Sequence, residues 1–564
     1  MEEVGRVVAV YGRNVIRFAV PEEKMENISR PGTYVKVEGP GGTWLYAMVV
    51  SFNLLDELYR RSRIVEELEG YLEFRPARNE LIATLVGHGR DRSVKRGVPV
   101  LPKPGQKVYV VPREELKQIL GDGDIDLGTL SYDSEIPFKL KLNMLCSRHF
   151  AVLAMTGAGK SNAVAVILAS ILSRYPYARI VLIDTHSEYV PLKEKFGDKV
   201  RVLSPIGKIG RLVEVRYDVK PQPLEIPLWT LGLEELASLL RLGPQATKQI
   251  MYLRNALQAV RRRRYPIAST DDPIFFRADE LRNEIEVAGP SRDKSLLDLV
   301  LKFESLLENS ELFYITRPRM SDEFYDKMSG GEPQRSVKTY LKIFGDMLKP
   351  GINIIALGGL PSEAQASTAA TILRSLWRVI GASVLAGHRI PVLIIVEEAH
   401  AYAPQGKWSP ARDILEKIAK EGRKFGVGLG VVSQRPRELS QTLLAQCGTL
   451  IALRTSNPED QRHIMRSMED IMNEMVEGLS GLGTGEALVS GPAAPLPAIV
   501  KVHHFPEIYG VSLGGKDVDW ATEWSSTSEL VDLTPYIVSE VSPESGGNGG
   551  EKEGTLEKFL GGKS

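Results

Sequence analysis

Residues 154–161 read Ala154-Met-Thr-Gly-Ala-Gly-Lys-Ser161, and this stretch decides the fold of the chain. It follows a short apolar run, Phe150–Ala154, and leads into a helical pattern at Asn162–Leu172. A strand, a glycine-containing loop and a helix in that order form the context of a phosphate-binding loop. The first position of the motif is alanine rather than glycine, a departure that the end of a strand tolerates. The sequence therefore predicts a nucleotide-binding α/β domain.

The loop supplies most of the predicted nucleotide contacts. Its backbone N–H groups and the helix N-terminus bind phosphate oxygens, and two glycines allow close approach and positive φ. Lys160 supplies positive charge to the β- and γ-phosphates, and the hydroxyl of Ser161 ligates Mg²⁺. The predicted cofactors are therefore ATP and Mg²⁺. The residues expected to hold them in this stretch are Thr156, Gly157, Ala158, Gly159, Lys160, Ser161 and Asn162.

A second apolar run ends in two acids. Val392–Val396 is followed directly by Glu397 and Glu398. Ligands bind at the carboxyl ends of strands in open α/β sheets, so this pair is expected near the nucleotide. Glu397 is assigned to the Mg²⁺ shell and Glu398 to polarising the attacking water. Two solvated acids after a strand are the alternative interpretation. Adjacent acids favour hydrolysis over a nucleotide-binding switch or a kinase.

Two more strand ends carry polar residues. Val427–Val432 is another apolar run, and Gln434 behind it is predicted to sense the γ-phosphate, with a plain turn residue as the alternative. Asp184 follows the run Ile180–Ile183 and is predicted to lie near the nucleotide. His186 has no metal-ligand partner at a suitable spacing, so we expect no metal site there.

Length and composition bound the class of protein. The 564 residues suit about three or four domains, and a hydrophobic fraction of 43 % can bury a real core. Lys plus Arg and Asp plus Glu are both 71, so any nucleic acid would bind a local basic channel rather than a basic coat. Cys146 and Cys447 lie far apart, and we find no signal peptide or membrane-spanning run. A cytoplasmic protein is predicted.

The chain divides into five predicted regions. Six short runs rich in valine, tyrosine and isoleucine predict a small β-barrel at 1–135, with a β-sandwich as the alternative. Apolar runs without alternation follow, and they predict parallel strands covered by helices. The boundaries place the first half of this core at 136–215, a helical insertion at 216–345, the second half at 346–505 and a C-terminal extension at 506–564, disordered from about 541.

Several basic residues raise the question of nucleic-acid contact. Arg261-Arg-Arg-Arg264 ends a predicted helix, and it is either a solvated helix end or a DNA contact. The candidates for DNA contact in a pore are two residues after the acidic strand, Lys407 and Arg412. Arg423 lies in Glu421-Gly-Arg-Lys-Phe-Gly426 and is either a surface salt bridge or an arginine placed to enter a neighbour's site.

These motifs, in this order, resemble the HerA/FtsK class of P-loop ATPases and, within it, the archaeal HerA proteins. The resemblance covers roughly 1–505. The phrases that carry it are Ser147-Arg-His-Phe-Ala-Val-Leu-Ala-Met-Thr-Gly-Ala-Gly-Lys-Ser161, Val396-Glu-Glu-Ala-His400, Glu421-Gly-Arg-Lys-Phe-Gly426 and Ser433-Gln-Arg-Pro436.

The resemblance implies a RecA-like fold, a homo-hexameric ring and double-stranded DNA in its central pore. It implies that the N-terminal barrel docks a partner and that a NurA-type nuclease is that partner in resection of double-strand-break ends. It also implies that Arg148 joins the nucleotide site and that Arg423 acts in trans as an arginine finger. The function expected is thus an ATP hydrolase that acts as a DNA helicase and translocase.

Two other functions remain open: a protein-translocating ATPase of the secretion type and an ATP-dependent ring scaffold. The N-terminal barrel favours the DNA motor over the secretion ATPase. Stimulation of ATP hydrolysis by duplex DNA would separate them.

The C-terminal end carries a separate signal. Residues 553–560 contain an apolar cluster at helical spacing after a Gly-, Ser- and Glu-rich stretch. A flexible tether that ends in such a cluster suits capture by a groove on another protein. The pattern resembles the peptide that archaeal replication proteins insert into the sliding clamp, although Glu553 stands where glutamine is usual. A tail that packs on its own ring is the alternative.

Overall fold

Two sheets organise the chain. The computed structural model describes residues 2–12, 14–56, 77–90, 93–205, 208–316, 333–467, 473–514 and 520–525. The stretch predicted to be disordered from about 541 and the predicted clamp-binding peptide at 553–560 lie outside the described residues.

The first sheet is a closed barrel, built from strands that alternate buried and more exposed side chains as at Val15–Val20. Its strands are β1 Glu3–Tyr11, β2 Val15–Val20, β3 Tyr34–Glu38, β4 Trp44–Asp56, β5 Ala77–Arg90, β6 Ser93–Arg96 and β7 Lys107–Val110. The pairing order is β2-β1-β7-β3-β4-β5-β6, and β2 also pairs with β5, which closes a ring of six strands with β6 attached to β5 outside it. The predicted barrel, rather than a sandwich, is confirmed.

The barrel is shorter than the predicted 1–135. Strands β8 Ile125–Leu130 and β9 Asp133–Leu140 pair with each other, and β8 pairs with β19 Ala498–Val502 in the second sheet. The last barrel strand is therefore β7. The alternating sequence of a strand such as β8 predicts which face is buried but not which sheet the strand joins. The choice of sheet depends on a partner strand about 370 residues away.

The second sheet has twelve strands in the order β13-β12-β14-β11-β15-β16-β10-β17-β18-β19-β8-β9. Its members from β13 to β17 are parallel, and those from β17 to β9 are antiparallel. Every predicted apolar run of the core forms one of the parallel strands. The bounds are β10 Phe150–Leu153, β11 Arg179–Asp184, β12 Val200–Pro205, β13 Gln222–Leu224, β14 Gly351–Ala356, β15 Val392–Val396, β16 Val427–Ser433, β17 Thr449–Leu453 and β18 Glu486–Ser490.

Helices connect these strands, and the described chain between β13 and β14 is helical, as predicted for the insertion. In the described part of the chain no helix is both long and apolar enough to cross a membrane. The bounds are α1 Arg113–Leu120, α2 Leu142–Ser147, α3 Lys160–Arg174, α4 Leu192–Phe196, α5 Lys208–Tyr217, α6 Leu233–Leu239, α7 Thr247–Arg262, α8 Ala278–Glu286, α9 Lys294–Glu308, α10 Phe313–Thr316, α11 Pro333–Asp346, α12 Ser362–Leu385, α13 Ala399–Tyr402, α14 Arg412–Phe425, α15 Gln441–Ala445, α16 Pro458–Ser467, α17 Asn473–Glu477, α18 Phe505–Tyr509 and α19 Trp520–Ser525.

The basic run that ends α7 is part of the insertion's own framework. Arg263 and Arg264 form ion pairs with glutamates of α8. Arg261 is buried, and its guanidinium donates to the backbone carbonyls of Trp229, Leu231 and Thr270. Neither a solvated helix end nor a DNA contact describes Arg261, because its guanidinium is buried and both Nη groups donate to backbone carbonyls inside the protein.

A buried polar network joins the barrel to α1. The ammonium of Lys36 lies 2.6 Å from Glu115 Oε2, and the hydroxyl of Tyr46 donates to Glu115 Oε1 at 2.6 Å. The side chain of Lys36 is only 4 % exposed. Tyr34 of the barrel donates to the carbonyl of Pro497, next to β19. The barrel is thus attached to the larger body by desolvated contacts.

Candidate nucleotide site

The strand order brings the predicted chemistry to one edge of the large sheet. Strand β10 lies between β16 and β17, and β15 lies between β16 and β11. These strands are parallel, so the residues that follow them emerge on the same side. We call this the carboxyl edge, and its functional residues are Lys160, Asp184, Glu397, Glu398 and Gln434.

The loop after β10 has the backbone that phosphate binding needs. Gly157 and Gly159 have φ of 76° and 102°, which side chains other than glycine rarely adopt. The Thr156 hydroxyl donates to Gln434 Oε1 at 2.8 Å and so connects the loop to the predicted sensor. Asn162 Nδ2 donates to the carbonyl of His503 at 2.7 Å. The nucleotide contact assigned to Asn162 stays a prediction.

Lys160 faces both acids of the acidic pair. Its ammonium contacts Glu398 Oε1 and lies 3.8 Å from Glu397 Oε1. Glu398 has φ 47° and ψ 45°, a left-handed conformation that costs a non-glycine residue about 1–3 kcal/mol. Strained backbones of this kind cluster at functional sites, where the surrounding structure holds them. Here the strain occurs at the residue assigned to activating water.

Buried carboxylates give this edge a strong negative field. Burial raises the pKa of Asp184 to about 6, although the backbone N–H groups of Glu188 and Tyr189 that it accepts, at 3.0 and 2.9 Å, oppose the rise. Burial, and then the charge of Asp184, raises the pKa of Glu397 well above its usual range, while Lys160 opposes this. Neither carboxylate oxygen of Glu397 has a hydrogen-bond partner among the described residues. A divalent cation would offset these charges, so the donor set suits Mg²⁺.

Two residues at this edge were not predicted as site residues. Glu188 Oε2 accepts the hydroxyl of Ser161 at 2.7 Å, which places a further acid beside the predicted Mg²⁺ ligand. His400 Nδ1 lies 3.2 Å from Glu398 Oε2. Both occur inside segments that the sequence singles out. Their roles depend on how the chain turns after each strand, which residue spacing does not reveal.

Two predicted site residues lie at the opposite edge. Arg148 precedes β10, and Arg423 is in the last turn of α14 before β16. Gly426, with φ 79°, ends this helix, and a cation in its last turn is favoured by the helix dipole. Both arginines line a cavity of about 430 Å³, together with Lys420. We call this the amino edge.

The length of the strands separates the two edges. Strand β16 has 7 residues. At roughly 3.3 Å per residue it spans about 20 Å. Arg148 and Arg423 are therefore not brought to the loop lysine of the same chain.

The remaining candidates divide by their surroundings. Lys407 is exposed. Arg412 is engaged, with its Nε 2.9 Å from Glu416 and its Nη1 donating to the carbonyls of Pro404 and Lys407 at 3.2 Å each. His186 is exposed, and within the described ranges no group of three or more His, Cys, Asp or Glu side chains could hold a metal ion by itself.

Comparisons with known proteins identify families and relatives that this chain resembles. The family model described as the helicase HerA central domain matches residues 125–376, and the helicase HerA-like C-terminal model matches residues 388–505. A Pyrococcus furiosus protein named DNA double-strand break repair helicase HerA is 31 % identical over 510 residues, covering 81 % of this chain and 85 % of that protein. A probable helicase of Methanocaldococcus jannaschii is 31 % identical over 444 residues, covering 76 % and 77 %.

Among solved structures, VirB4 of Thermoanaerobacter pseudethanolicus is similar with a TM-score of 0.50 and 15 % identity. The match covers 68 % of this chain and 98 % of that one. At this identity the likeness concerns the fold alone, and it is a P-loop ATPase fold of the RecA type.

Proposed function

The chain belongs to the HerA helicase family, and on that premise we propose that it is an ATP-hydrolysing DNA helicase and translocase that works as a homo-hexameric ring. One observation carries the proposal. Lys160 and Glu398 lie at the carboxyl edge, whereas Arg423 lies at the amino edge. A site with both halves needs two subunits, and head-to-tail contacts of this kind generate a ring when the rotation from one subunit to the next closes.

The residues at the carboxyl edge divide the work of hydrolysis. The loop backbone, Lys160 and Ser161 would hold the phosphates and Mg²⁺, with Glu397 in the metal's shell. The metal, when bound, neutralises phosphate charge. Lys160 leaves Glu398 when it turns towards the phosphates, and Glu398 then accepts a proton from water. Gln434 senses the γ-phosphate from beside the loop.

The neighbouring subunit supplies the remaining charge. Arg423 of the neighbour acts as the arginine finger, and Arg148 of the neighbour contacts the same nucleotide. Both line one cavity at an edge that a ring would press against the next subunit's carboxyl edge. Asp184 supports the metal shell from β11, since its buried carboxylate lies beside that of Glu397.

The partners we propose are double-stranded DNA in the ring pore, a NurA-type nuclease docked on the barrel and a sliding clamp captured by 553–560. The name of the Pyrococcus furiosus relative supports a role in the repair of DNA double-strand breaks. End resection with the nuclease is the specific role proposed. Lys407, exposed after the acidic strand, remains our candidate for DNA contact.

ATP hydrolysis measured with and without linear duplex DNA tests the central proposal. We expect duplex DNA to stimulate hydrolysis severalfold and native mass measurement to give a hexamer. Basal hydrolysis that no DNA stimulates would contradict the DNA motor and favour a secretion-type ATPase or a ring scaffold.

A further inference from the structure

His400 contacts two neighbouring strand ends at the carboxyl edge. Its side chain is 14 % exposed, and its Nδ1 lies 3.2 Å from Glu398 Oε2 and 3.1 Å from the hydroxyl oxygen of Ser433. Glu398 follows β15, whereas Ser433 ends β16, and these two strands pair in parallel. One imidazole nitrogen therefore links the residue assigned to activating water with the strand that carries the sensor.

The chemistry of the three groups fixes the direction of the contact. An ionised carboxylate only accepts hydrogen bonds, so a favourable contact between Glu398 and Nδ1 requires the hydrogen on Nδ1. The hydrogen-bond partner of Nδ1 is the hydroxyl oxygen of Ser433, which also accepts the backbone N–H of Arg435 at 3.1 Å. Glu398 Oε2 has no hydrogen-bond partner among the described residues, so its contact with Nδ1 at 3.2 Å is electrostatic, and a hydrogen on Nδ1 makes that contact favourable.

The contact with His400 involves only Oε2 of Glu398, so Oε1 is left to face Lys160. Glu398 Oε1 contacts Lys160, the residue that turns to the phosphates in the proposed reaction. Once Lys160 leaves, the Nδ1–H edge of the imidazole still lies beside Oε2 and favours the orientation in which Oε1 faces the same side of the site. Gln434 follows Ser433 immediately and contacts Thr156 of the loop at 2.8 Å. A continuous path therefore runs from the carboxylate to the sensor and the loop.

We propose that His400 is a positioning residue for ATP hydrolysis, which orients Glu398 and couples that orientation to the end of β16. Activation of water then depends on where the sensor strand lies. This inference rests on the proposed ATP hydrolysis and not on the action on DNA. It predicts that loss of the Nδ1 donor lowers the rate of the chemical step and leaves ATP binding intact.

The test compares two substitutions with different donors. His400→Leu removes the donor at similar volume, and His400→Asn keeps an N–H near the Nδ1 position. We expect His400→Leu to lower kcat for ATP tenfold to a hundredfold, part of the roughly 10²–10⁴ that a positioned base contributes, with KM changed less than about threefold. We expect His400→Asn to recover most of kcat. The control is His463→Leu, the same change at a half-buried histidine of α16, with kcat near that of the unmodified chain.

A double variant separates positioning from a general structural role. If His400 acts through Glu398, then His400→Leu in a Glu398→Gln background lowers the residual rate by less than about twofold, because residues that act as a unit are not additive. A full tenfold further loss, equal kcat in His400→Asn and His400→Leu, or a parallel rise in KM would overturn the proposal. ATP hydrolysis that DNA does not stimulate would contradict only the helicase assignment. A chain that hydrolyses no ATP would contradict both the helicase assignment and the role of His400.

Discussion

The two edges of the large sheet carry opposite charges and complementary chemistry. At the carboxyl edge, Asp184, Glu397 and Glu398 are buried around the single ammonium of Lys160. At the amino edge, arginines and a lysine line an open cavity. In the first arrangement the carboxylates outnumber the ammonium, which suits a metal with a triphosphate, and the second offers cations to an anion. In the proposed function each edge is half of a site, and this complementarity would explain why a subunit needs its neighbour.

The largest effect is expected at the carboxyl edge. Lys160→Ala should abolish turnover and weaken nucleotide binding, because the loop loses its phosphate charge. Glu398→Gln should reduce hydrolysis to a small residual rate with ATP still bound, because an amide does not accept the proton from water. ATP affinity by fluorescence titration and turnover by phosphate release measure the two properties. Equal, severe loss of affinity in both variants would contradict these separate roles.

A loss of about 10³-fold in kcat is expected for Arg423→Ala at the amino edge, with ATP affinity retained. The adjacent exposed cation offers a matched control, and Lys424→Ala should keep near-normal turnover. Mixing Arg423→Ala with Glu398→Gln subunits should restore some hydrolysis, because some interfaces then combine two intact edges. If mixed rings form and no ratio restores activity, the two edges do not act on one nucleotide.

Arg148 should contribute less than Arg423. Removing one charge-assisted contact costs about 1.5–3 kcal/mol, so Arg148→Ala should lower kcat/KM roughly tenfold to a hundredfold. Arg148→Lys keeps the charge but not the planar fork, and intermediate activity would indicate bidentate contact. Steady-state kinetics at several ATP concentrations give the comparison. Normal activity of Arg148→Ala would place this residue outside the site.

The smallest effect is a pH dependence of the free energy of unfolding, which arises from the buried acids of the carboxyl edge. The pKa of Asp184 is raised to about 6 and that of Glu397 is raised too, so the folded protein keeps protons that the unfolded chain releases near pH 4. The free energy of unfolding without nucleotide should therefore fall as pH rises from about 4 through 6. Glu397→Gln removes a like charge and should reduce that fall by about 1–2 kcal/mol. Denaturant unfolding at pH 5 and pH 8 measures the change in the free energy of unfolding. The same change in Glu397→Gln and in the unmodified chain would contradict the charge cluster.

Sequence alone predicts the carboxyl edge well because apolar runs mark parallel strands and function follows their ends. Strand β12 was missed since Arg201 interrupts its pattern, and the structure shows that this guanidinium donates to Asn353 of β14 at 2.8 Å. His400 was missed because its partner Ser433 lies on another strand. The run of arginines that begins at Arg261 predicts an exposed surface, whereas the side chain of Arg261 is buried. Pairing across long sequence separation is the information that local patterns lack.

The attachment of the barrel has a mechanical consequence. Strand β8 lies four positions from β10 in the sheet, and at roughly 4.8 Å per strand this is about 19 Å. Ladder hydrogen bonds span that distance, and the Lys36–Glu115 pair joins the barrel to α1. A protein bound to the barrel would therefore move together with the sheet. The same stiffness would fix the orientation of any such cargo relative to the sheet throughout each cycle.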